Sequence, residues 1–444
     1  MSNIKAKGNK GFDFEYTVSH MFQNQGYLTR RGIPLQYGIS NQDATDIDVL
    51  GIMFTFPFKG QKIICDCKNK VRSKPYERIF WAKGLGEFVG ASNIFVAFNK
   101  TQEEVIRFAS SGGVNVLTSD IINDYADLKP AYGLADGSYY SNYRKLVEQE
   151  AKKDSVIQRI YTNVSKLYLN ENPYLTLNLA LAHLHELSKR LEYGKQNSKE
   201  SIAAIKYLIC ELTVIIALQL LWICADVIGL PANSRETHII NKLTYGELEP
   251  EAIKAIMNDA KNLANALIKS SIPKSVAPKE VDFGKITPPS YTASLIGLVE
   301  RALAKPQMYL SMPQLLDFML FEQGLKGQEH TEEEHKELFG HGSSDERMKA
   351  SRNILAFIRE FTSLDWKEVW SNPYKFDVKG QEVKNPVSPS KETYNDKSSE
   401  KKNSNPKSLI EAKKELKQGE DREEEIELRE QNEFERISSL SRER

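Results

Sequence analysis

Residues 62–68 read Lys-Ile-Ile-Cys-Asp-Cys-Lys, and this alternation constrains the fold more than any other stretch of the chain. Side chains on a β-strand point to opposite faces with period two. Ile64, Asp66 and Lys68 therefore share one face, while Ile63, Cys65 and Cys67 share the other. Residues 46–51, Asp-Ile-Asp-Val-Leu-Gly, follow the same rule, with Asp46 and Asp48 opposed to Ile47 and Val49. Phe58-Lys-Gly60 turns the chain tightly between the two runs, so they are expected to pair as an antiparallel hairpin. The result is an acid beside a lysine on one strand, with a second acid on its neighbour. Such a set can hold a divalent metal and activate water against a phosphodiester. The competing reading is a salt-bridge ladder across an ordinary hairpin.

The flanking sequence supplies the rest of an α/β layer. Residues 11–25 carry Phe14, Val18, Met21 and Phe22 at helical spacing, with Glu15 one position off the stripe and Gly26 as the stop. Residues 27–31 read as a short strand ending in a Gly32/Pro34 turn, and residues 46–56 as the acid-bearing strand. Residues 69–76 form a basic loop. A helix over 77–91 carries Phe80, Trp81, Leu85 and Phe88, and Trp81 at that spacing is expected in the core. Strand 93–98, helix 101–110, the Gly112-Gly113 turn and strand 114–117 then imply parallel pairing through right-handed crossovers.

At 444 residues the chain exceeds one typical core. We expect an α/β domain over 1–125, a linker over 126–144 and an all-helical domain of unknown role over 145–371, with helices near 146–170, 174–193, 198–228, 249–270, 291–304, 312–324 and 345–363. Residues 372–444 are rich in Pro, Ser, Asn, Lys and Glu and are expected to be a disordered or charged-helix tail. The formal net charge is zero, so any pull toward nucleic acid must be local. Lys59, Lys62, Lys70, Arg72, Lys74, Arg78 and Lys83 crowd around the motif, and Tyr76 and Trp81 lie among them. These are candidate phosphate contacts and base-stacking groups.

Four cysteines suit a reducing compartment, and no signal peptide is expected from the polar, basic residues 1–11. A cytoplasmic location follows as an expectation. The apolar run 212–225 falls short of the roughly twenty residues that span a bilayer and reads as a buried helix, with no membrane partner expected. Cys65 and Cys67 read as core residues rather than a zinc pair. Glu329-His-Thr-Glu-Glu-Glu-His335 spaces its histidines off one helical face and reads as a solvated acidic loop.

Asp48 followed by Asp66-x-Lys68 resembles the PD-(D/E)xK nucleases. Gly11-Phe-Asp-Phe-Glu15-Tyr-Thr-Val18, Asn24-Gln-Gly-Tyr27, Asp48-Val-Leu-Gly, Cys67-Lys68, Asn93-Ile-Phe-Val-Ala-Phe98 and Gly113-Val-Asn-Val-Leu117 resemble the Mrr-like restriction endonuclease branch. The similarity covers residues 8–124. It departs from the pattern in having Ile47 where a proline precedes the first acid, and Asp66 where that branch more often has Glu or Gln.

The resemblance implies a restriction-endonuclease-like α/β domain with a mixed central sheet flanked by helices. It implies Mg²⁺ or Mn²⁺ on Asp48, Asp66 and the Cys67 backbone carbonyl, with Glu15 nearby and Lys68 orienting the attacking water. Nucleic-acid contacts are then expected from Lys70, Arg72, Lys74, Arg78 and Lys83. The implied function is a metal-dependent endonuclease acting on DNA, in restriction or genome defence, with a homodimer or protein partner engaged through the helical domain. The alternatives are a nuclease-fold binding protein that does not cleave, or a junction or repair nuclease.

Overall fold

The computed structural model describes residues 10–36, 43–68, 74–126, 128–194, 198–271, 286–339 and 344–371. After helix α1 (Lys10–Asn24), strands β1 (Leu28–Gln36), β2 (Asp43–Thr55) and β3 (Lys59–Lys68) form an antiparallel meander. Helix α2 (Pro75–Phe88) carries the chain to β4 (Asn93–Phe98), and α3 (Glu103–Ser111) carries it to β5 (Val114–Thr118); both strands run parallel to their predecessors. The mixed sheet has the order β1-β2-β3-β4-β5, and β2 alone runs against the other four.

The expected alternation on β3 sorts two cores. Ile63, Cys65 and Cys67 join Val49 beneath Val18, Met21 and Phe22 of α1. Ile64 joins Leu50, Ile52 and the α2 residues Ile79, Ala82 and Leu85 on the other face. All four cysteines are buried and free.

Two local expectations change. β1 does not end at Gly32/Pro34; it pairs with β2 as far as Gln36. As an edge strand it can carry a proline that lacks an N–H, and Gly32 takes a positive φ of 56° that absorbs the bend. Trp81 is not a core residue, because α2 buries Ile79, Ala82, Leu85 and Gly86 and leaves Trp81, Phe80 and Phe88 exposed.

The stretch 126–144 is not a loose linker. Helix α4 (Ser119–Ala126) precedes it, and α5 (Gly137–Ala151) begins inside it, capped by the Asp136 carboxylate and burying Tyr139, Tyr140 and Tyr143. The Gly133 N–H donates to Glu322 Oε1 at 2.8 Å, and Lys326 Nζ reaches Asp136 at 2.9 Å and Glu322 at 3.0 Å. A stretch rich in Tyr and Gly thus becomes core, because its aromatics have a helical wall to pack against.

The helical region continues with α6 (Ser155–Leu167), α7 (Pro173–Tyr193), α8 (Lys199–Val227), α9 (Ala232–Tyr245) and α10 (Pro250–Ser271). It closes with α11 (Thr292–Ala304), α12 (Pro306–Tyr309), α13 (Met312–Asp317), a run of wide helical turns over Phe318–Lys326, α14 (Glu332–Phe339), α15 (Ser344–Thr362) and α16 (Trp366–Trp370). Helix α8 is long and apolar enough to cross a membrane, yet 89% of that apolar window is buried inside the protein. It is the axis of the helical layer. Its Trp222 packs edge-on against Phe54 of β2 at 4.8 Å.

One hydrophobic core runs unbroken from the sheet into these helices, so the expected boundary at 125–145 is not a boundary in packing. The described residues, all between 10 and 371, fall within one compact unit. Residues 372–444, expected as a tail, lie outside the described residues. The segment expected to be a solvated acidic loop packs its His330 and His335 rings on Phe318, at 4.7 and 5.7 Å.

The sheet and the helical layer also share a buried charge network. Arg30 of β1 is 4% exposed. It meets Asp317 at 2.7 Å and Glu211 of α8 at 3.5 Å, and its Nε donates to the Tyr168 hydroxyl at 2.7 Å. Removing one member of a buried pair costs about 3–5 kcal/mol, because the remaining charge stays buried and uncompensated. Arg30→Met is therefore expected to lose stability of that order in urea unfolding. A loss under 1 kcal/mol would mean that Asp317 and Glu211 do not depend on it.

Candidate functional site

The hairpin brings the acids and the lysine together. Pairing of Val49 with Cys65 and Leu50 with Ile64 sets the register of β2 on β3. The Asp48 side chain then reaches across to β3, where Oδ2 accepts the Cys67 backbone N–H at 2.7 Å. Lys68 Nζ sits between the two carboxylates, 3.2 Å from Asp48 Oδ2 and 3.2 Å from Asp66 Oδ1. Asp66 is buried, whereas Asp48 and Lys68 are partly open, so the constellation opens to solvent on one side.

Each acid in the cluster has a cation from a different element. Arg78 of α2 forks onto Asp66, with Nε 2.9 Å from Oδ2 and the second guanidinium nitrogen on Oδ1. Arg31 of β1 donates to Glu15 of α1 and lies over the Tyr16 ring at 3.6 Å. Three carboxylates, Glu15, Asp48 and Asp66, thus face three cations, Arg31, Lys68 and Arg78.

Burial raises the Glu15 carboxyl above its ordinary value, against the pull of Arg31, and the nearby Asp48 charge raises it further. Burial also raises Asp48, although the Cys67 N–H and Lys68 hold it down. Burial lowers Lys68, but the charges of Asp66 and Asp48 outweigh that and leave its ammonium above the usual lysine value. Lys68 is firmly cationic at neutral pH. The Cys67 thiol is pushed well up by burial and faces the core, so only its backbone serves the site.

Of the expected nucleic-acid contacts, Arg78 is drawn into the site as the Asp66 partner. Lys74 is exposed and paired with Glu77 at 2.7 Å. Lys83 pairs with Glu87 at 3.1 Å, about 140° round the helix from Arg78, and so faces away from the site. Lys70 and Arg72 lie outside the described residues. Lys59 and Lys62 lie at the far end of β3 from Asp66, Lys62 about 13 Å away along the strand. They do not belong to the cluster. Sequence reading missed Arg31 altogether, since a buried arginine on a strand has no pattern that marks it.

Among the described residues, no three or more His, Cys, Asp and Glu side chains form a group that could hold a metal by themselves. Asp48 and Asp66 nevertheless converge on a single cation, the Lys68 ammonium, and both are hard oxygen donors. Magnesium is often held by one or two carboxylates, with water and substrate phosphate completing its shell. The pair fits such an ion if a side-chain cation yields its place. Comparison of the chain with protein-family models, with curated proteins and with solved structures returns no match.

The raised Asp48 pKa has a signed consequence for stability. A carboxyl whose folded pKa lies above its unfolded value costs stability when ionised, and that cost disappears below the unfolded value. Asp48→Asn is therefore expected to raise the thermal midpoint at pH 7, and the gain should shrink to nothing as the pH falls below the ordinary value of 3.8. Equal midpoints for the two proteins at pH 7 would refute the assignment of Asp48 as a desolvated carboxylate.

Proposed function

We propose that the sheet and its flanking helices form a metal-dependent nuclease of the PD-(D/E)xK type, hydrolysing phosphodiester bonds in DNA. One observation carries the reading: Lys68 Nζ lies 3.2 Å from both Asp48 and Asp66 on adjacent strands. Two further features support it. The strands follow one another across the sheet in chain order with β2 reversed, as the hairpin and crossovers of the resemblance require. Glu15 also reaches the cluster from α1, near enough for its charge and that of Asp48 to act on each other.

In this reading Asp48, Asp66 and the Cys67 carbonyl hold Mg²⁺ or Mn²⁺. The bound ion supplies Lewis acidity and a lowered pKa for water. Lys68 orients the attacking water and offsets the charge that develops on the phosphate. Glu15, whose pKa is raised by burial, stands near the metal and contacts it directly or through water. Lys74, with Lys70 and Arg72 of the adjoining segment, supplies positioning contacts that read no sequence. A role in restriction or genome defence and a cytoplasmic location belong to the same proposal.

Asp66→Asn and Lys68→Ala are each expected to lower metal-dependent cleavage of plasmid and short duplex DNA by about a hundred- to a thousandfold, a loss of the order seen when one transition-state contact is removed. Far-ultraviolet circular dichroism should remain that of the parent. Cleavage at parental rates by either variant would sink the site assignment. One observation favours a rival, a nuclease-fold protein that binds without cutting: both oxygens of Asp66 are taken by Arg78. Binding that weakens steeply with salt, with no metal-dependent cutting of any DNA or RNA tested, would decide for the rival.

A further inference from the structure

Asp66 carries more cation than a metal ligand can keep. Its carboxylate is 7% exposed and is contacted by the Arg78 fork and by Lys68 Nζ together. The set Asp48, Asp66, Lys68 and Arg78 is electrically neutral as it stands. A divalent ion placed on the two acids would meet two cations at close range, so one of them must leave. Lys68 cannot go far, because it stands two residues from Asp66 on the same strand and bridges both acids. Arg78 can. It comes from a different element, α2, on a long flexible arm.

Arg78 is also the one cation of the cluster on the element that leads away from the basic segment 69–74. A guanidinium fork matches phosphate oxygens as well as it matches a carboxylate. Phosphate arriving from solvent offers Arg78 an anion that is not buried, and the exchange leaves Asp66 with an open lone pair facing Asp48.

We propose that Arg78 is a positioning residue that exchanges Asp66 for substrate phosphate and so makes metal binding depend on nucleic acid. This inference rests on the nuclease reading of the site. At rest the fork keeps Asp66 ordered and keeps free divalent ions weakly held. With substrate present, phosphate and metal each remove the obstacle to the other, and linkage makes the effect reciprocal.

The test is Mn²⁺ binding by the full chain, followed by titration calorimetry without DNA and then with a phosphorothioate duplex that resists cutting. In the parent protein the duplex should tighten Mn²⁺ binding by about ten- to a hundredfold, the usual range for coupled sites. Arg78→Gln keeps an amide donor for Asp66 but removes the charge. It should bind Mn²⁺ at least about tenfold more tightly than the parent without DNA, and it should lose most of the dependence on duplex. Its cleavage rate should nevertheless fall.

A merely structural arginine predicts the reverse, since loosening Asp66 would weaken metal binding and cleavage together. Unchanged or weaker Mn²⁺ affinity in Arg78→Gln overturns this proposal and leaves the nuclease reading standing. If neither protein binds Mn²⁺ with or without duplex, the metal site itself is wrong and both fall.

Discussion

The buried guanidinium of Arg30 is the constraint on which the two layers depend. It comes from the edge strand β1, and its partners Asp317, Glu211 and Tyr168 all belong to the helical layer. Burying an ion costs several kcal/mol, and the cost is recovered only where geometry and hydrogen bonds are complete. Here they come close to complete. The Arg30 guanidinium spends donors on a carboxylate, a hydroxyl and the Thr29 carbonyl, and Tyr168 passes a hydrogen bond on to Glu211. Such a network adds little net stability over an apolar core of the same shape. It does penalise every alternative docking of sheet on helices that would strand a charge.

The neighbouring residue extends this constraint to the site. Arg31 follows Arg30 on β1 and pairs with Glu15 on α1, so a single strand anchors both the helical layer and one acid of the cluster. The helical layer therefore does more than hang from the α/β layer. By fixing β1 it fixes the position of Arg31, and through Arg31 the direction of Glu15. Arg144 of α5 adds to this by donating to the Arg31 carbonyl at 3.4 Å, with its guanidinium tips packed about Gly32. A Cβ at Gly32 would make only ordinary contact with that guanidinium, so the positive φ is the reason for glycine there.

What the sequence made legible was local and periodic. The β3 alternation, the hairpin turn and the strand–helix–strand close follow from period two, a Gly turn and crossover handedness, each readable within some twenty residues. What it hid was long-range. Arg30 meets Asp317 across almost the whole described chain, and no local pattern announces a pair so separated. The stretch 126–144 was misread because Tyr, Gly, Ser and Asn look like loop composition until a helical wall is present to bury the tyrosines. Trp81 was misread because helical spacing shows that residues share a face and does not show which face turns inward. Within the site the acids and Lys68 were readable from the strand pattern. Arg78 was readable as a basic residue near the motif, but its fork onto Asp66 depended on where α2 lands against β3.

The neutrality of the cluster bears on how a chain with zero net charge could engage a polyanion. Neither the whole protein nor the resting cluster presents an excess of positive charge, so long-range attraction is weak and attraction has to be generated at the site. On the proposed nuclease reading, a divalent cation on Asp48 and Asp66 would generate it twice over, by its own charge and by releasing the Arg78 guanidinium from its carboxylate. The exposed Trp81 lies along α2 from Arg78, 5.8 Å from its guanidinium to the ring centre, where on the proposed reading a base next to the phosphate could stack. Charge held in reserve as an internal ion pair keeps the resting cluster neutral. On the proposed reading it would appear where and when a phosphate arrives, which a permanently basic surface could not achieve without also binding every other polyanion in reach.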